Sequence, residues 1–467
     1  MKFRIAAVLI VCFANQSHAQ LTFKNQFEYT HWNQYDRDIV ENWSDLSYQG
    51  EFIQSGLRFE VNKPPDPFIF PVDTLLDAYA LTYLYAECYY KNLTATVGNF
   101  YTTFGRGLSL RTYEDRNLRV DNNIEGVKLN FSGESYRFQA IAGRMRDRYN
   151  RREDGIYGAD GDFSPLKNIQ LGASYLYQDD RGANQSQLWT TRLQVTHSLG
   201  DIYAEVARPD WSHDVSYYLA ASTSFTKFSL TMEYKDYNHL SFKNKYGTDY
   251  NAAPSLTREH SFTLLNRHPH ALNMDDEKGY QFELSYVPTE ETEVTVNHSQ
   301  TFTHRNLSIF EEYYGEMHHY FSERSDVRLA TAWTYDFATN TENITPIADV
   351  RCNLTWRDQL HLSYQHQHTI NKFDQSEFDN EFLLLEYSRS PLFSFALVGE
   401  YTNKDQIKNI ELDRNHWLYG NLTLSFWRNQ QLSILVGSRQ EGFVCVGGIC
   451  RYEPEFEGIE IKFINRF

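Results

Sequence analysis

Residues 458–467 close the chain and read Gly-Ile-Glu-Ile-Lys-Phe-Ile-Asn-Arg-Phe. Successive side chains of a β-strand point to opposite faces, so every second residue of an extended segment shares a face. One face of this segment would be apolar, and the other would carry the glutamate and the lysine. This alternation predicts a β-strand with one apolar and one polar face. The residues of the apolar face are Ile459, Ile461, Phe463 and Phe467.

The same two-residue period recurs along the chain, where apolar and aromatic residues alternate with polar and often charged ones. The composition agrees, because 33 Tyr, 32 Phe and 8 Trp are residue types that pack well on a pleated, half-buried face. After residue 20 there is no run of about twenty apolar residues, the length that a membrane-spanning helix needs. The sequence therefore predicts an all-β protein. Four clear examples of the period are 136–143, 228–235, 280–287 and 327–336.

Turn lengths alternate as well. Tight turns such as Lys91-Asn92 and Arg357-Asp358 separate long polar stretches, which include the charge-rich 101–121 and the longest one, 237–278. A strand in lipid must satisfy its backbone through neighbouring strands, so the sheet has to close. We predict a single closed antiparallel transmembrane β-barrel of about 24 strands (range about 20–26), with short periplasmic turns and long extracellular loops. A secreted sandwich, propeller or solenoid is the alternative, but several strands reach ten residues, longer than sandwich strands usually are.

The first 19 residues are predicted to be a signal peptide. Lys2 and Arg4 precede a short apolar run, and small residues at Ser17 and Ala19 favour cleavage before Gln20. Lipoprotein processing at a cysteine of this segment is disfavoured, because a bulky valine precedes that cysteine. One barrel domain would then span residues 20–467. The net charge of −17 argues against nucleic acid as a partner, since phosphates require a basic surface.

The sequence has two resemblances to known proteins. A strand that ends on a terminal phenylalanine, Phe467, resembles the C-terminal signature of outer-membrane β-barrels. More narrowly, 105–108 (Gly-Arg-Gly-Leu), 113–116 (Tyr-Glu-Asp-Arg) and 120–123 (Val-Asp-Asn-Asn) resemble an uncharacterised family (domain of unknown function) of Gram-negative outer-membrane barrels. The resemblance implies the barrel fold and an outer-membrane location. It implies no activity and no catalytic residues.

The 101–121 stretch is a candidate constriction loop. Its apolar residues Phe104, Leu108 and Leu110 could bury inside the barrel, where opposed charges select solutes by charge and size. The alternative, which we favour from sequence alone, is a solvated surface loop whose charges pair with one another. The charged residues are Arg106, Arg111, Glu114, Asp115, Arg116, Arg119 and Asp121.

Histidines and cysteines suggest two further sites. His260, His268 and His270 lie near carboxylates in the longest loop and could bind zinc or a similar metal, although incidental histidines of a polar outer loop are the preferred interpretation. Cys445 and Cys450 flank a Gly-rich turn that would let them form a disulfide after export. No cofactor is expected.

The leading functional hypothesis is a porin-like channel or transporter for polar solutes, because barrels of sixteen or more strands usually enclose a lumen. The alternative is a structural or interaction barrel, plugged by its own loops, in an outer-membrane assembly. A rim hydrolase is less favoured, since neither Gly-x-Ser-x-Gly nor His-Glu-x-x-His is present. The expected partners are outer-membrane lipid and either small polar solutes or outer-membrane proteins.

Overall fold

The computed structural model describes most of the chain after the first 19 residues. The predicted signal peptide and His268 lie outside the described residues, and the side chains of 444–450 are not described. The described ranges are 20–64, 77–147, 150–179, 185–244, 246–267, 270–404, 414–427, 429–446 and 449–467.

Twenty-four antiparallel strands form one sheet. The first twelve are β1 Gln20–Trp32, β2 Arg37–Gln49, β3 Ile53–Lys63, β4 Tyr79–Tyr90, β5 Leu93–Phe100, β6 Ile124–Ser132, β7 Tyr136–Met145, β8 Gly155–Leu166, β9 Ile169–Asp179, β10 Gln185–His197, β11 Gly200–Pro209 and β12 Ser216–Ser224. The others are β13 Phe228–Asn238, β14 Asp276–Thr289, β15 Thr292–Phe302, β16 Ser308–Ser322, β17 Ser325–Asp336, β18 Thr341–Asn353, β19 Asp358–Asn371, β20 Glu377–Arg389, β21 Phe393–Thr402, β22 His416–Phe426, β23 Gln430–Arg439 and β24 Phe456–Arg466.

The sheet closes on itself. β1 pairs with β2 and also with β24, in a register that runs from Lys24 opposite Arg466 to Trp32 opposite Gly458. Every other strand pairs with its neighbours in the sequence, so the barrel has no free edge. The predicted closed barrel and its strand number are confirmed. Closure satisfies the backbone in lipid, as the prediction required.

Connections differ strongly between the two rims. The turns of the periplasmic rim have two to four residues, whereas the extracellular rim carries connections as long as 101–123 and 239–275, which are called inner loop 1 and inner loop 2 below. Inner loop 2 contains a short helix, α1 (Thr263–Asn266). Among the described residues, no helix is long and apolar enough to cross a membrane. Three small ribbons pair Thr103–Phe104 with Leu110–Arg111, Glu114–Asp115 with Val120–Asp121, and Gly442–Val446 with Ile449–Glu453.

The two faces of the wall have the chemistry that the alternation predicts. On β17, Leu329 is 45% exposed on the outer face, whereas Asp326 and Thr334 of the inner face are buried. On the adjacent strands β13 and β14, the outward rings of Phe228 and Tyr286 stack with their centroids 4.6 Å apart. The outer face is therefore suited to hydrocarbon and its interface, while the lumen is polar.

Candidate lumen site

Inner loop 1 turns inward and lies inside the barrel. Phe104, Leu108 and Leu110 are each 0% exposed. They share one apolar cluster with wall residues such as Ile156 and Leu176, and full burial of such a side chain contributes about 1.5–3 kcal/mol. The preference for a solvated surface loop is therefore wrong, because the wall offers these side chains an apolar surface.

The tip of inner loop 1 requires glycine at two positions. Gly105 and Gly107 have φ angles of 55° and 93°, a region that other residues rarely adopt. A Cβ on Gly105 would lie 2.3 Å from Glu205 Oε1. A Cβ on Gly107 would lie 2.6 Å from the carbonyl oxygen of Ala252. Between the glycines, the N–H of Arg106 donates to Glu205 Oε2 at 2.9 Å, so the backbone itself fixes the tip to β11.

Ion pairs fix the middle of inner loop 1 to the first strands. The guanidinium of Arg58, on β3, donates to Asp45 at 2.5 Å and to Glu114 of the loop at 2.7 Å. Arg116 of the loop lies 2.9 Å from Glu114 and 3.2 Å from Asp45. These four side chains are no more than 26% exposed, so the two arginines and two carboxylates alternate in a largely desolvated cluster.

The end of inner loop 1 is held by charge as well. Arg119 lies 2.6 Å from Glu41 and 3.2 Å from Glu28, both on the inner wall. Asp121 pairs with Arg146 at 2.8 Å. Burial raises the pKa of Asp121, but the Arg146 guanidinium and local hydrogen bonds outweigh burial and hold that pKa below its ordinary value. Asp121 therefore acts as an anion that Arg146 neutralises.

Two other predicted residues have different roles. Asp115 Oδ1 accepts the N–H groups of Asn117 and Leu118 at 2.8 and 3.0 Å, which closes a local turn. The Arg111 guanidinium lies 5.4 Å from the centroid of the Tyr113 ring. Among the described contacts, Arg111 has no ion pair with a carboxylate.

The first half of inner loop 2 packs against inner loop 1. Asn251 Nδ2 donates to the carbonyl oxygen of Leu108 at 2.8 Å. The N–H of Ala252 donates to the carbonyl oxygen of Gly107 at 3.1 Å. Phe242 belongs to the same apolar cluster as the buried residues of inner loop 1. The two loops therefore form one packed body within the lumen.

The second half of inner loop 2 crosses to the far wall. Leu264, in α1, is 0% exposed and packs against Phe382 and Val398 on β20 and β21. Arg267 follows the helix and lies 2.5 Å from Glu400 on β21. Inner loop 2 therefore starts and ends at β13 and β14 but reaches well across the lumen.

The two candidate metal ligands in the described part of the chain, His260 and His270, contact different residues of the wall. His260 Nε2 lies 2.9 Å from Glu312, and His270 Nε2 lies 2.9 Å from Glu277. Each histidine thus contacts a different wall glutamate, and the described residues contain no group of three ligands suited to a metal. Since His268 lies outside the described residues, the metal site stays a prediction. The two described histidines attach inner loop 2 to β14 and β16.

The candidate disulfide lies in the extracellular ribbon 442–453. Its backbone register places Cys445 directly opposite Cys450, the arrangement that a Gly-rich turn between them predicts. The side chains of both residues lie outside the described part, so the disulfide itself stays a prediction.

A charged cavity of about 430 Å³ lies where both inner loops meet β13 and β14. We call it the mixed-charge pocket. Arg258 of inner loop 2 pairs with the wall residue Glu283 there, and Arg111 and Glu233 line the same space. Such a cavity can hold a polar solute through hydrogen bonds and charge. Its uncharged polar lining includes Ser255, Thr257 and Gln281.

Of the residues that line this pocket, sequence reasoning named only Arg111 as a candidate site residue. The signal for Glu233 existed, because the period of 228–235 places it on the polar face. Alternation shows which face a side chain occupies, but it does not show which loop descends to meet it.

The whole chain, residues 1–467, matches the Family of unknown function (DUF6029). The protein belongs to this family. The match confirms the predicted resemblance to an uncharacterised family. A comparison with curated proteins gives no match for this DUF6029 member.

Solved structures share the fold of this DUF6029 barrel. One chain of an E. coli P pilus tip assembly intermediate (PapC-PapD-PapK-PapG) aligns with a TM-score of 0.56 and 9% identity over 96% of this chain and 60% of that chain. The P pilus usher (PapC) translocation pore aligns with a TM-score of 0.50 and 9% identity over 96% of this chain and 99% of that chain. Wzi, a carbohydrate-binding outer-membrane β-barrel from Escherichia coli, aligns with a TM-score of 0.40 and 11% identity over 99% of this chain and 87% of that chain. The alignments with the pilus assembly intermediate and with the usher pore show a shared β-barrel fold alone.

Proposed function

We propose that the protein is a channel or transporter for small polar solutes in the outer membrane, exported with a signal peptide and narrowed by its own inner loops. The observation that carries the proposal is the mixed-charge pocket, in which side chains from both loops and from the wall line a cavity of about 430 Å³ inside the lumen. Charged constrictions of this kind select solutes by size and charge.

The charge of the wall supports a preference for cations. The inner faces of β13 to β16 carry more carboxylates than bases, and Arg258 offsets only one of the carboxylates that border the pocket. A lumen of this sign attracts cations and repels anions. The inward glutamates of these strands are Glu233, Glu277, Glu283, Glu293, Glu312 and Glu316.

Planar-bilayer recording of the refolded barrel tests the proposal. We expect a small conductance, because both loops occupy the lumen, and a reversal potential in a KCl gradient that shows cation preference. Glu233→Gln should lower that preference, whereas Glu290→Gln, at an exposed periplasmic turn, should leave it unchanged. An intact barrel that passes no ions would contradict the proposal.

A plugged interaction barrel is the second candidate, and the apolar cluster between the loops and the wall favours it. A loop body with side chains such as Leu108 and Leu240 fully buried resists displacement, since exposing them costs several kcal/mol. Replacing residues 241–273 with a short Gly-Ser linker separates the candidates. A plugged barrel would be silent before the replacement and strongly conducting after it, whereas a channel conducts in both forms.

A further inference from the structure

Two opposite charges in the mixed-charge pocket lack an ionic partner within the described part of the chain. One is the guanidinium of Arg111, and the other is the carboxylate of Glu233. Three more charged residues line the pocket. Arg258 and Glu283 are paired with each other, and Glu259 makes a contact of its own. The pocket therefore presents one uncommitted cation and one uncommitted anion to the same cavity.

Arg111 is held in place by its backbone and its stem. Its N–H donates to the carbonyl oxygen of Tyr250 at 3.0 Å, which joins the two inner loops at this residue. Its side chain passes over Gly107, where a Cβ would lie 3.2 Å from Arg111 Cβ and 3.3 Å from its Cδ. The guanidinium stays near the Tyr113 ring, and its donors are open to a carboxylate.

Glu233 is also held in place. It lies on the inner face of β13, where the hydroxyl of Tyr218 donates to its Oε1. Tyr218 is 2% exposed, so this contact positions the carboxylate without neutralising its charge. The remaining oxygen of Glu233 is available to an ammonium group in the pocket.

We infer that the mixed-charge pocket binds small zwitterions, namely free amino acids or short peptides, with the carboxylate on Arg111 and the ammonium on Glu233. This inference rests on the proposed function for its biological role. A ligand with one charge would leave the opposite pocket charge unpaired, and a neutral sugar would leave both unpaired, which lowers affinity. A cavity of about 430 Å³ lies within the range of small-molecule sites.

Isothermal titration calorimetry on the full barrel in detergent tests the inference, with diglycine as the probe and acetate, methylammonium and arabinose as comparisons. We expect diglycine to bind at least about tenfold more tightly than any comparison compound, the loss expected for one charge-assisted hydrogen bond. Arg111→Gln and Glu233→Gln should each weaken diglycine binding by about tenfold. Matched changes at exposed periplasmic turns, Arg357→Gln and Glu290→Gln, should leave it unchanged.

Equal affinity for diglycine and arabinose would overturn the inference, and so would unchanged diglycine binding in both pocket variants. Far-UV circular dichroism confirms that each variant is folded, and the two variants give independent tests if one fails to fold. Calorimetry measures binding without transport, so a failure of the zwitterion site can be distinguished from a failure of the proposed channel. Binding without ion current would remove the proposed channel and keep the zwitterion site, whereas current without diglycine binding would do the reverse.

Discussion

The two inner loops occupy the same lumen but are attached to the wall in different ways. Inner loop 1 is fixed along its whole length. Its glycine tip is bound to β11, and Glu114 and Arg116 form ion pairs with residues of β2 and β3. At its end, Arg119 pairs with two glutamates of the wall. The first half of inner loop 2 belongs to the large apolar cluster that also contains inner loop 1, whereas Phe262, Leu264 and Leu265 of its second half belong to two smaller clusters. Its second half crosses the lumen and contacts the far wall at separate points, including Leu264 and Arg267.

This difference identifies which loop is able to move. Opening inner loop 1 would expose the apolar cluster and several buried charges together, so its contacts are lost only cooperatively. The far half of inner loop 2 can leave the wall in smaller steps, because its contacts are divided between two small apolar clusters and separate ion pairs. Local openings of this kind have lower free energy than global unfolding. We therefore expect a movement of inner loop 2, not of inner loop 1, to widen the lumen.

Gly107→Val should have the largest effect, because it undocks inner loop 1. Valine is strained at a φ of 93°, and its Cβ would lie 2.6 Å from the Ala252 carbonyl oxygen, so the junction between the loops is lost as well. Limited trypsin digestion of the folded barrel should show rapid cleavage within residues 101–123. Gly315→Ala is the control, since a Cβ there meets nothing within 4 Å. If Gly107→Val resisted trypsin as well as the wild-type protein does, the role of Gly107 in docking the tip of inner loop 1 would be contradicted.

Arg58→Ala should weaken inner loop 1 by about 3 kcal/mol, the lower end of the range for breaking a buried ion pair. The change leaves Asp45 and Glu114 with Arg116 as their shared cation. The ratio of trypsin cleavage rates, variant over wild type, measures the loss. Arg137→Ala is the matched control for Arg58→Ala, because Arg137 also forms an ion pair, with Asp162 at 2.6 Å, but its side chain is 56% exposed. Loss of this exposed pair should lower stability by less than about 1 kcal/mol. Similar costs for both variants would show that burial does not decide the effect.

The sequence was sufficient for the barrel but not for the loops. Period-two alternation and the contrast in turn length determine strand number, closure and sidedness, because each reflects a local requirement of the backbone in lipid. The inward path of the loops depends on packing between segments far apart in the chain. One signal was present, since Ile141, Leu176 and Leu188 lie on the inner, otherwise polar face. Apolar residues on a polar face indicate that something packs against them, although they do not show which loop it is.

Leu264→Ala tests the far attachment of inner loop 2. Removing a fully buried leucine leaves a cavity among Phe382, Val398 and the helix, at a cost of about 2–3 kcal/mol if the site partly collapses. Because the second half of this loop is attached at separate points, we expect more frequent channel openings in planar bilayers. Inner loop 1 should keep its resistance to trypsin in this variant. Cleavage within 101–123 in Leu264→Ala would show instead that the loops open together.

Replacement of His304 should have the smallest effect on stability, and that effect should depend on pH. This residue of the 303–307 loop contacts Asp236 at 2.9 Å and Asp276 at 2.7 Å, at the two ends of inner loop 2. Burial lowers the pKa of His304, but hydrogen bonds to the two aspartates outweigh burial and raise that pKa above 6.5. Its stabilisation is therefore fully present below about pH 6.5 and is lost as the pH rises through the higher folded-state pKa.

Thermal denaturation of wild type and His304→Asn between pH 5.5 and 9.5 measures this contribution. We expect a difference below about 1 kcal/mol at the acidic end, because the histidine is partly exposed, and convergence of the two proteins at the alkaline end. A difference that stays constant across this range would mean that His304 acts through packing or neutral hydrogen bonds. The ends of inner loop 2 would then be fixed independently of charge, and any opening of the lumen through this loop would not respond to the protonation of His304.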